Sequence, residues 1–408
     1  MLSILLLACN GAEDTAPTWY ADVKPVLDTN CTRCHQPEGL GPGDFTTRDT
    51  AFALGERIVT RAAEQTMPPV SADPDCRPYQ GSEHMRMADE DLQTVEAWLE
   101  AGGPEGDPAD DPGIEPVSGE LSAPDLEVLM EHAYSPAFAD EANPGNEYRC
   151  FVADPGLDQD AFITAMAPIV DQEALVHHIV LATVDTDDVT EDMRAPGGWD
   201  CIDGRGGVDA DGSMLAAWAP GMLPIEFPEG YGMRIGADQE LIFQMHYYDA
   251  GTVSGVEDRS GYAFRLADSV DDQVYMAPLG ISDFLIPAGE ASHSDGEAFL
   301  NEYADLTIHG VFPHMHQLGT SYAMKVVEQD GSETCLVEGD YDFNNQLTYV
   351  FDELAAFPMG STAEYSCTWD NSADNPNLPY DEPVDTTYGE RTDEEMCFMF
   401  TLVSVGLP

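Results

Sequence analysis

The chain has 408 residues, and its 15 lysines and arginines face 77 aspartates and glutamates, a formal charge of −62 at neutral pH. Such a field repels polyanions, so nucleic acid and anionic membrane surfaces are excluded as partners. The apolar share of 43% is that of a folded protein, a length beyond roughly 250 residues asks for two or three domains, and no stretch reaches the ~20 apolar residues of a membrane helix. The acids are spread along the whole chain, which marks a solvated surface rather than an interaction tail.

Residues 1–16 form a leader segment. Met1 to Ala8 is an apolar run that ends Leu6-Leu7-Ala8-Cys9, and it resembles a truncated bacterial lipoprotein signal in which Cys9 carries the lipid anchor. It lacks a basic n-region, and Leu7 stands where a small residue is usual, so a plain signal peptide and a mis-assigned start codon stay open. The expectation is an exported protein, periplasmic or on the outer membrane. Setting aside Cys9, Cys31 and Cys34, six of the nine cysteines remain, enough for three bridges in any of 15 pairings. Bridges in that number belong to an oxidising compartment.

Residues 17–103 are predicted to be a small helical domain. Val23, Val26 and Leu27 lead into Cys31; Leu54, Ile58, Val59 and Ala62 share one face; Leu92, Val95, Trp98 and Leu99 repeat helically before Gly102-Gly103. Cys31-x-x-Cys34-His35 is the spacing of covalent haem attachment, two thioether sulfurs followed by the proximal imidazole. A redox dithiol would want a βαβ setting and a zinc ribbon a second Cys-x-x-Cys, and neither is present. Met67 in Thr66-Met67-Pro68-Pro69 is the expected sixth ligand, with His84, Met85 and Met87 as competitors. The stretch from Cys31 to Gly103 is similar to the small cytochrome c domains fused to exported bacterial enzymes. Residues 104–122, rich in proline and acid, read as a linker. Beyond them, short runs such as Leu241–Tyr248 and Ala323–Val327, punctuated by Gly, Pro, Asn and Asp, predict antiparallel β-sandwiches.

Five histidines gather the remaining chemistry. Residues two apart on a strand share a face, so His314 and His316 present both imidazoles to one side. His177 and His178 are adjacent and need a bulge or a strand end to act together. In Leu241–Tyr248, Gln244 and His246 share the face opposite Leu241, Phe243 and Met245, which predicts that His246 points away from the core.

The stretches Leu175-Val176-His177-His178, Phe243-Gln244-Met245-His246-Tyr247, His314-Met315-His316-Gln317-Leu318-Gly319 and Thr392-Asp393-Glu394-Glu395-Met396-Cys397 resemble, in order, those of the copper type II, ascorbate-dependent monooxygenases. Ala216–Pro220 and Asp340–Asn344 extend the resemblance over most of 123–408. It implies two antiparallel jelly-roll-like β-sandwich subdomains, 123–268 and 269–408, behind the all-α cytochrome c-like domain. It implies two copper ions: one for electron transfer on His177, His178 and His246, and one that meets O₂ on His314, His316 and Met396, where a soft thioether favours Cu(I). It also implies the disulfides Cys150–Cys201 and Cys367–Cys397, with Cys76 and Cys335 left over and their pairing open.

One departure bears on substrate. Where peptide-hydroxylating members hold a carboxylate with Arg, Asn and Tyr, this chain has Phe312, Phe398 and Phe400. Three apolar rings offer a carboxylate no hydrogen bond, so a small apolar or aromatic substrate is expected, with simple packing as the alternative role for the rings. The function expected is a copper-dependent monooxygenase that hydroxylates a C–H bond with O₂, supplied with electrons through the fused c-type haem, with ascorbate as the family's reductant and the physiological donor open. The alternative is a non-catalytic exported haem and copper electron-transfer or copper-binding protein.

Overall fold

The computed structural model describes residues 16–37, 39, 41–69, 71–139, 145–201, 214–248 and 255–408, so Cys9 and its leader lie outside the described residues. The chain divides into two units, one running to Pro68 and resuming with Arg86–Val117, the other made of Pro69–Met85 and Ser118–Pro408.

The first unit is helical, with helices Lys24–Asn30, Arg48–Ala53, Gly55–Ala63 and Asp89–Glu100. Apolar side chains at helical spacing put Val23, Leu27, Ile58, Val95 and Trp98 into one core with Trp19. Asp89, Glu90 and Asp91 occupy the first turn of the last helix, where the helix dipole favours negative charge. Gly103 then turns the chain with a left-handed φ, and a Cβ there would lie 2.4 Å from the Phe52 ring. The stretch expected to be a stiff, acidic linker from residue 104 starts inside this unit. The Pro104 carbonyl accepts from the Trp98 indole at 3.0 Å and from the Trp19 amide at 2.9 Å, and Lys24 pairs with Asp111 at 3.2 Å. A buried indole N–H needs an acceptor, and the carbonyl just past the helix supplies it.

The second unit is built from β-sheets, nearly all antiparallel. Its earlier half pairs Asn146–Ala153, Gln239–Tyr248, Val176–Asp185 and Met214–Trp218 in one sheet, and Leu126–Leu129, Gly261–Ala267, Ala161–Ile169 and Tyr231–Ile235 in another. Its later half repeats the plan with Tyr275–Ile281, Cys397–Val405, Leu306–His314 and Tyr349–Phe357, and with His293–Leu300, Thr362–Trp369, Gly319–Val327 and Glu333–Asp340. Alternate residues of Thr362–Trp369 are buried, the period of a strand with one wet face. Gln239–Tyr248 is different, since seven of its ten residues, Glu240–Phe243 and Met245–Tyr247, are buried. The Cys367–Cys397 disulfide joins the two sheets of the later half, and Cys150–Cys201 forms as the family resemblance implies.

Residues 69–85, expected inside the helical domain, pack on the β unit. Tyr79 bridges to Phe351 on the outer strand Tyr349–Phe357, the Gln80 backbone amide donates to the Val350 carbonyl at 2.8 Å, and the Asp73 backbone amide donates to the Glu338 carbonyl at 2.7 Å on the outer strand of the other sheet. Ala72, Tyr79 and Met85 join the β core, and the Arg77 guanidinium lies 4.8 Å from the centre of the Phe351 ring. Cys76 pairs with Cys335, which settles the two cysteines whose partners were open. A Pro- and Asp-rich segment has no period of its own, and the sheet edges and the disulfide give it one place to sit.

His309 is the extra residue of a bulge in Leu306–His314. It is fully buried: Nε2 meets Ser404 Oγ at 2.8 Å, Tyr231 packs on its ring at 4.6 Å, and Nδ1 has no partner. Burial lowers its pKa from 6.5 to about 4. The unfolded chain therefore binds a proton that the folded chain refuses between those values, and stability falls as pH drops through that window. His309→Leu is expected to narrow the difference in unfolding free energy between pH 7 and pH 4.5 by about 2 kcal/mol, read from urea titrations at the two values.

Candidate metal centres

Val176–Asp185 opens with the local irregularity that adjacent histidines require. Its pairing with Gln239–Tyr248 slips between Val176 and His178, so His177 is the additional residue and His178 lies opposite His246. The three side chains converge, with candidate ligand atoms within 4.8 Å of one another. His178 Nδ1 lies 3.3 Å from His177 Nδ1 and 3.2 Å from His246 Nδ1. The outer nitrogens are taken: His177 Nε2 faces Asn344 Oδ1 at 3.2 Å and His246 Nε2 faces Asn146 Oδ1 at 2.8 Å. A carboxamide oxygen only accepts, so these two rings carry their proton on Nε2 and turn an Nδ1 lone pair inward. Tyr148 stacks on His246 at 4.1 Å. Burial lowers the pKa of all three rings, His178 and His246 well below the usual value, and keeps them neutral.

His246 is buried, contrary to the expectation that its face looks outward. Gln239–Tyr248 is an inner strand covered on both sides, and the alternation of Gln244 and His246 with apolar residues marks the wall of a polar site, not solvent.

His314 ends its strand and His316 follows in the turn, with rings 5.2 Å apart and nearly perpendicular. Here the tautomers are reversed. His314 Nδ1 meets Gln346 Oε1 at 2.7 Å and His316 Nδ1 meets the Glu394 carbonyl at 3.1 Å, which leaves both Nε2 atoms as lone pairs. Burial brings the two pKa values down to about 4 and about 3.

Met396 borders the same cavity as these two rings. It is held there by Glu395, a fully buried acid that the sequence reading passed over. The Glu395 carboxylate accepts from the amides of His316 at 3.0 Å, Leu318 at 2.7 Å and Met396 at 3.2 Å, and from the Trp369 indole at 2.9 Å. Burial pushes its pKa up to about 7, against the pull of those four donors.

A cavity of about 190 Å³ is bounded by His178 from the first cluster and by His314, His316 and Met396 from the second. Phe312, Phe398 and Phe400 form one wall, with Phe400 stacked 5.9 Å from Phe312 and 5.5 Å from Phe398. Among the described lining residues there is no lysine or arginine.

In the helical unit, Cys31 closes the helix Lys24–Asn30, and the amides of Cys34 and His35 turn back onto its carbonyl. These two thiols are free, whereas the other six described cysteines are bridged. His35 Nδ1 faces the Pro42 carbonyl at 3.0 Å and its ring stacks on Phe45 at 4.4 Å, so Nε2 is the nitrogen left for a ligand. Gly41 is needed beside it, because a Cβ would fall 2.5 Å from His35 Nδ1. Burial pushes the Cys31 thiol up to about 12. Met67 is 43% exposed, whereas Met87 is buried in the helical core and Met85 in the β core.

Residues 139–253 match the family model of the copper type II ascorbate-dependent monooxygenases, N-terminal domain. That span holds His177, His178 and His246. The chain is 24% identical over 274 residues to DBH-like monooxygenase protein 2 of Mus musculus, 62% of this chain and 42% of that protein, so it spans less than half the relative's length. Both matches support the copper monooxygenase family. Among solved structures, the broad bean stain virus structure has a TM-score of 0.28 at 9% identity, covering 74% of this chain and 95% of that one. The major capsid protein P2 of bacteriophage PM2 has a TM-score of 0.25 at 8% identity, covering 64% and 98%. Likeness that low carries no argument.

Replacing Glu395 by leucine leaves four donors facing an apolar side chain. The expected loss of stability is on the order of 3 kcal/mol or more, measured by urea unfolding of the metal-free chain, with Glu395→Gln losing less.

Proposed function

We propose that this chain is a copper-dependent monooxygenase that hydroxylates a C–H bond of a small, uncharged apolar or aromatic substrate. The balance is substrate C–H plus O₂, two electrons and two protons, giving the alcohol and water. The observation that carries this reading is the pair of neutral imidazole clusters, with one tautomer at His177 and His246 and the opposite one at His314 and His316, that meet an aromatic-walled cavity through His178 on one side and through His314 and His316 on the other, with the Met396 thioether at its border.

The donor sets fit copper. Three imidazoles accept both oxidation states, and two imidazoles with a thioether favour the reduced one. When bound there, copper supplies one-electron redox chemistry and the activation of O₂. The protein's share is to hold five rings neutral and to aim four of them, to keep Met396 beside His316 through Glu395, and to close the site with phenylalanines. Phe312, Phe398 and Phe400 stand as the substrate wall, which suits an uncharged ring or alkyl group and gives a carboxylate nothing to bond.

The helical unit is the proposed cytochrome c-like domain, with Cys31 and Cys34 as thioether attachments, His35 as proximal ligand and Met67 as the sixth. The free thiols, the Pro42 contact and the cradle at Gly41 support that fit. Bound haem supplies a one-electron carrier, and ascorbate is the reductant suggested by the family's description. Export to a periplasm or outer surface, with Cys9 as a lipid site, is proposed alongside; three disulfides suit an oxidising compartment.

Metal analysis together with a pyridine haemochrome assay is expected to give two coppers and one haem per chain, with His246→Ala retaining one copper. Removing a ligand should exceed the effect of losing an outer partner, so Met396→Ile is expected to leave hydroxylation below about 1% while the haem stays reducible. Undiminished product from that variant overturns the oxygen-site assignment, and a wild-type chain that loads both metals yet forms no product from aromatic or alkyl test substrates favours the electron carrier.

A further inference from the structure

One turn touches both histidine clusters. Asp342–Gln346 follows the strand Glu333–Asp340, and three of its side chains reach the two sites. Asn344 Oδ1 takes the outer nitrogen of His177, and Gln346 Oε1 takes the outer nitrogen of His314. The ring of Phe343 lies between the clusters, stacked 5.5 Å from His177 and edge-on 6.4 Å from His316.

The turn also decides which end of each carboxamide faces its histidine. The Asn344 NH₂ donates to Asp342 Oδ1 at 3.3 Å, so its oxygen is left for His177. The Gln346 NH₂ donates to the Phe343 carbonyl at 2.9 Å, so its oxygen is left for His314. Asp342 fixes the backbone that carries both, its carboxylate accepting from the Asn344 amide and its carbonyl from the Asn345 amide, each at 2.9 Å. At the preceding residue, the Met315 amide donates to the Tyr341 hydroxyl at 3.1 Å, and that hydroxyl donates to the Met315 carbonyl, which ties the turn to the His314–His316 segment.

We propose that Asp342–Gln346 is a shared positioning element, which sets the tautomer and aim of one imidazole in each cluster and so builds both sites from one turn. Asn344 and Gln346 are positioning residues, and Asp342 governs both through the turn. The consequence for copper rests on the proposed function, whereas the tautomers belong to the metal-free chain and are tested without it.

The experiment uses the full chain with ¹⁵N-labelled histidine. In the metal-free wild type, imidazole nitrogen shifts are expected to report an Nε2–H ring at His177 and an Nδ1–H ring at His314. Asn344→Ala should convert His177 alone to a tautomer mixture and Gln346→Ala should do so for His314 alone, while Asn344→Asp and Gln346→Glu, which keep an acceptor, restore the wild-type pattern. Asp342→Ala, which replaces a residue bonded to neither ring, should disturb both, and Asp342→Asn should rescue them. Titration with copper(II), followed by electron paramagnetic resonance, is expected to show about 10- to 100-fold weaker binding at the three-histidine site in Asn344→Ala, with an altered spectrum. Unchanged His177 shifts in Asn344→Ala, or an Asp342→Ala variant that disturbs one cluster only, overturns the proposal. A wild type with both tautomers that takes up no copper supports the turn's role and overturns the copper reading instead.

Discussion

Four of the five imidazoles in the two clusters are held by one hydrogen bond at the nitrogen that points away from the cluster, and the remaining architecture serves that constraint. A neutral imidazole has one donor and one acceptor nitrogen, so occupying one of them determines the other. Carboxamide oxygens on His177 and His246 turn Nδ1 inward, whereas Gln346 and the Glu394 carbonyl turn Nε2 inward at His314 and His316. Burial holds the rings in the neutral form, and without an acceptor at the far side each would be free to present the wrong nitrogen.

The two clusters reach this state by different backbone means. At His177 an additional residue in the ladder lets neighbours in sequence aim together. At His316 the strand has already ended, and the geometry comes from Glu395, whose carboxylate gathers the amides of the histidine turn and of Met396 onto one point. A buried acid in a site that needs neutral rings is costly by charge alone, and four donors are what make it tolerable.

Much of this was legible in the residue order. Adjacent His177 and His178 demanded a bulge or a strand end, and the His314-x-His316 spacing placed two rings together. The Cys31-x-x-Cys34-His35 spacing singled out the two thiols that stay unbridged. The carboxamides were not legible, since Asn146, Asn344 and Gln346 lie far from their histidines in sequence and carry no periodicity. Glu395 was hidden by abundance, one of 77 acids in a chain whose others are mostly solvated. His246 was misread because alternation reports two unlike faces without saying whether the polar one meets water or a site. Residues 69–85 were placed in the helical domain and the 104–122 stretch in a linker because the order of both is imposed by partners, two sheet edges in the first case and an indole N–H in the second.

The course of residues 69–85 alters how this protein can be divided. The chain passes between its helical and β units at Pro68, at Met85 and again at Val117, so the two are interleaved in sequence. A β unit begun at Ser118 would lose Tyr79 from its core, uncover the outer strand Tyr349–Phe357 and leave Cys335 with an unpaired thiol. The helical unit is therefore not a detachable module joined at a single seam, and recombination that exchanged it at one junction would damage the fold of its neighbour.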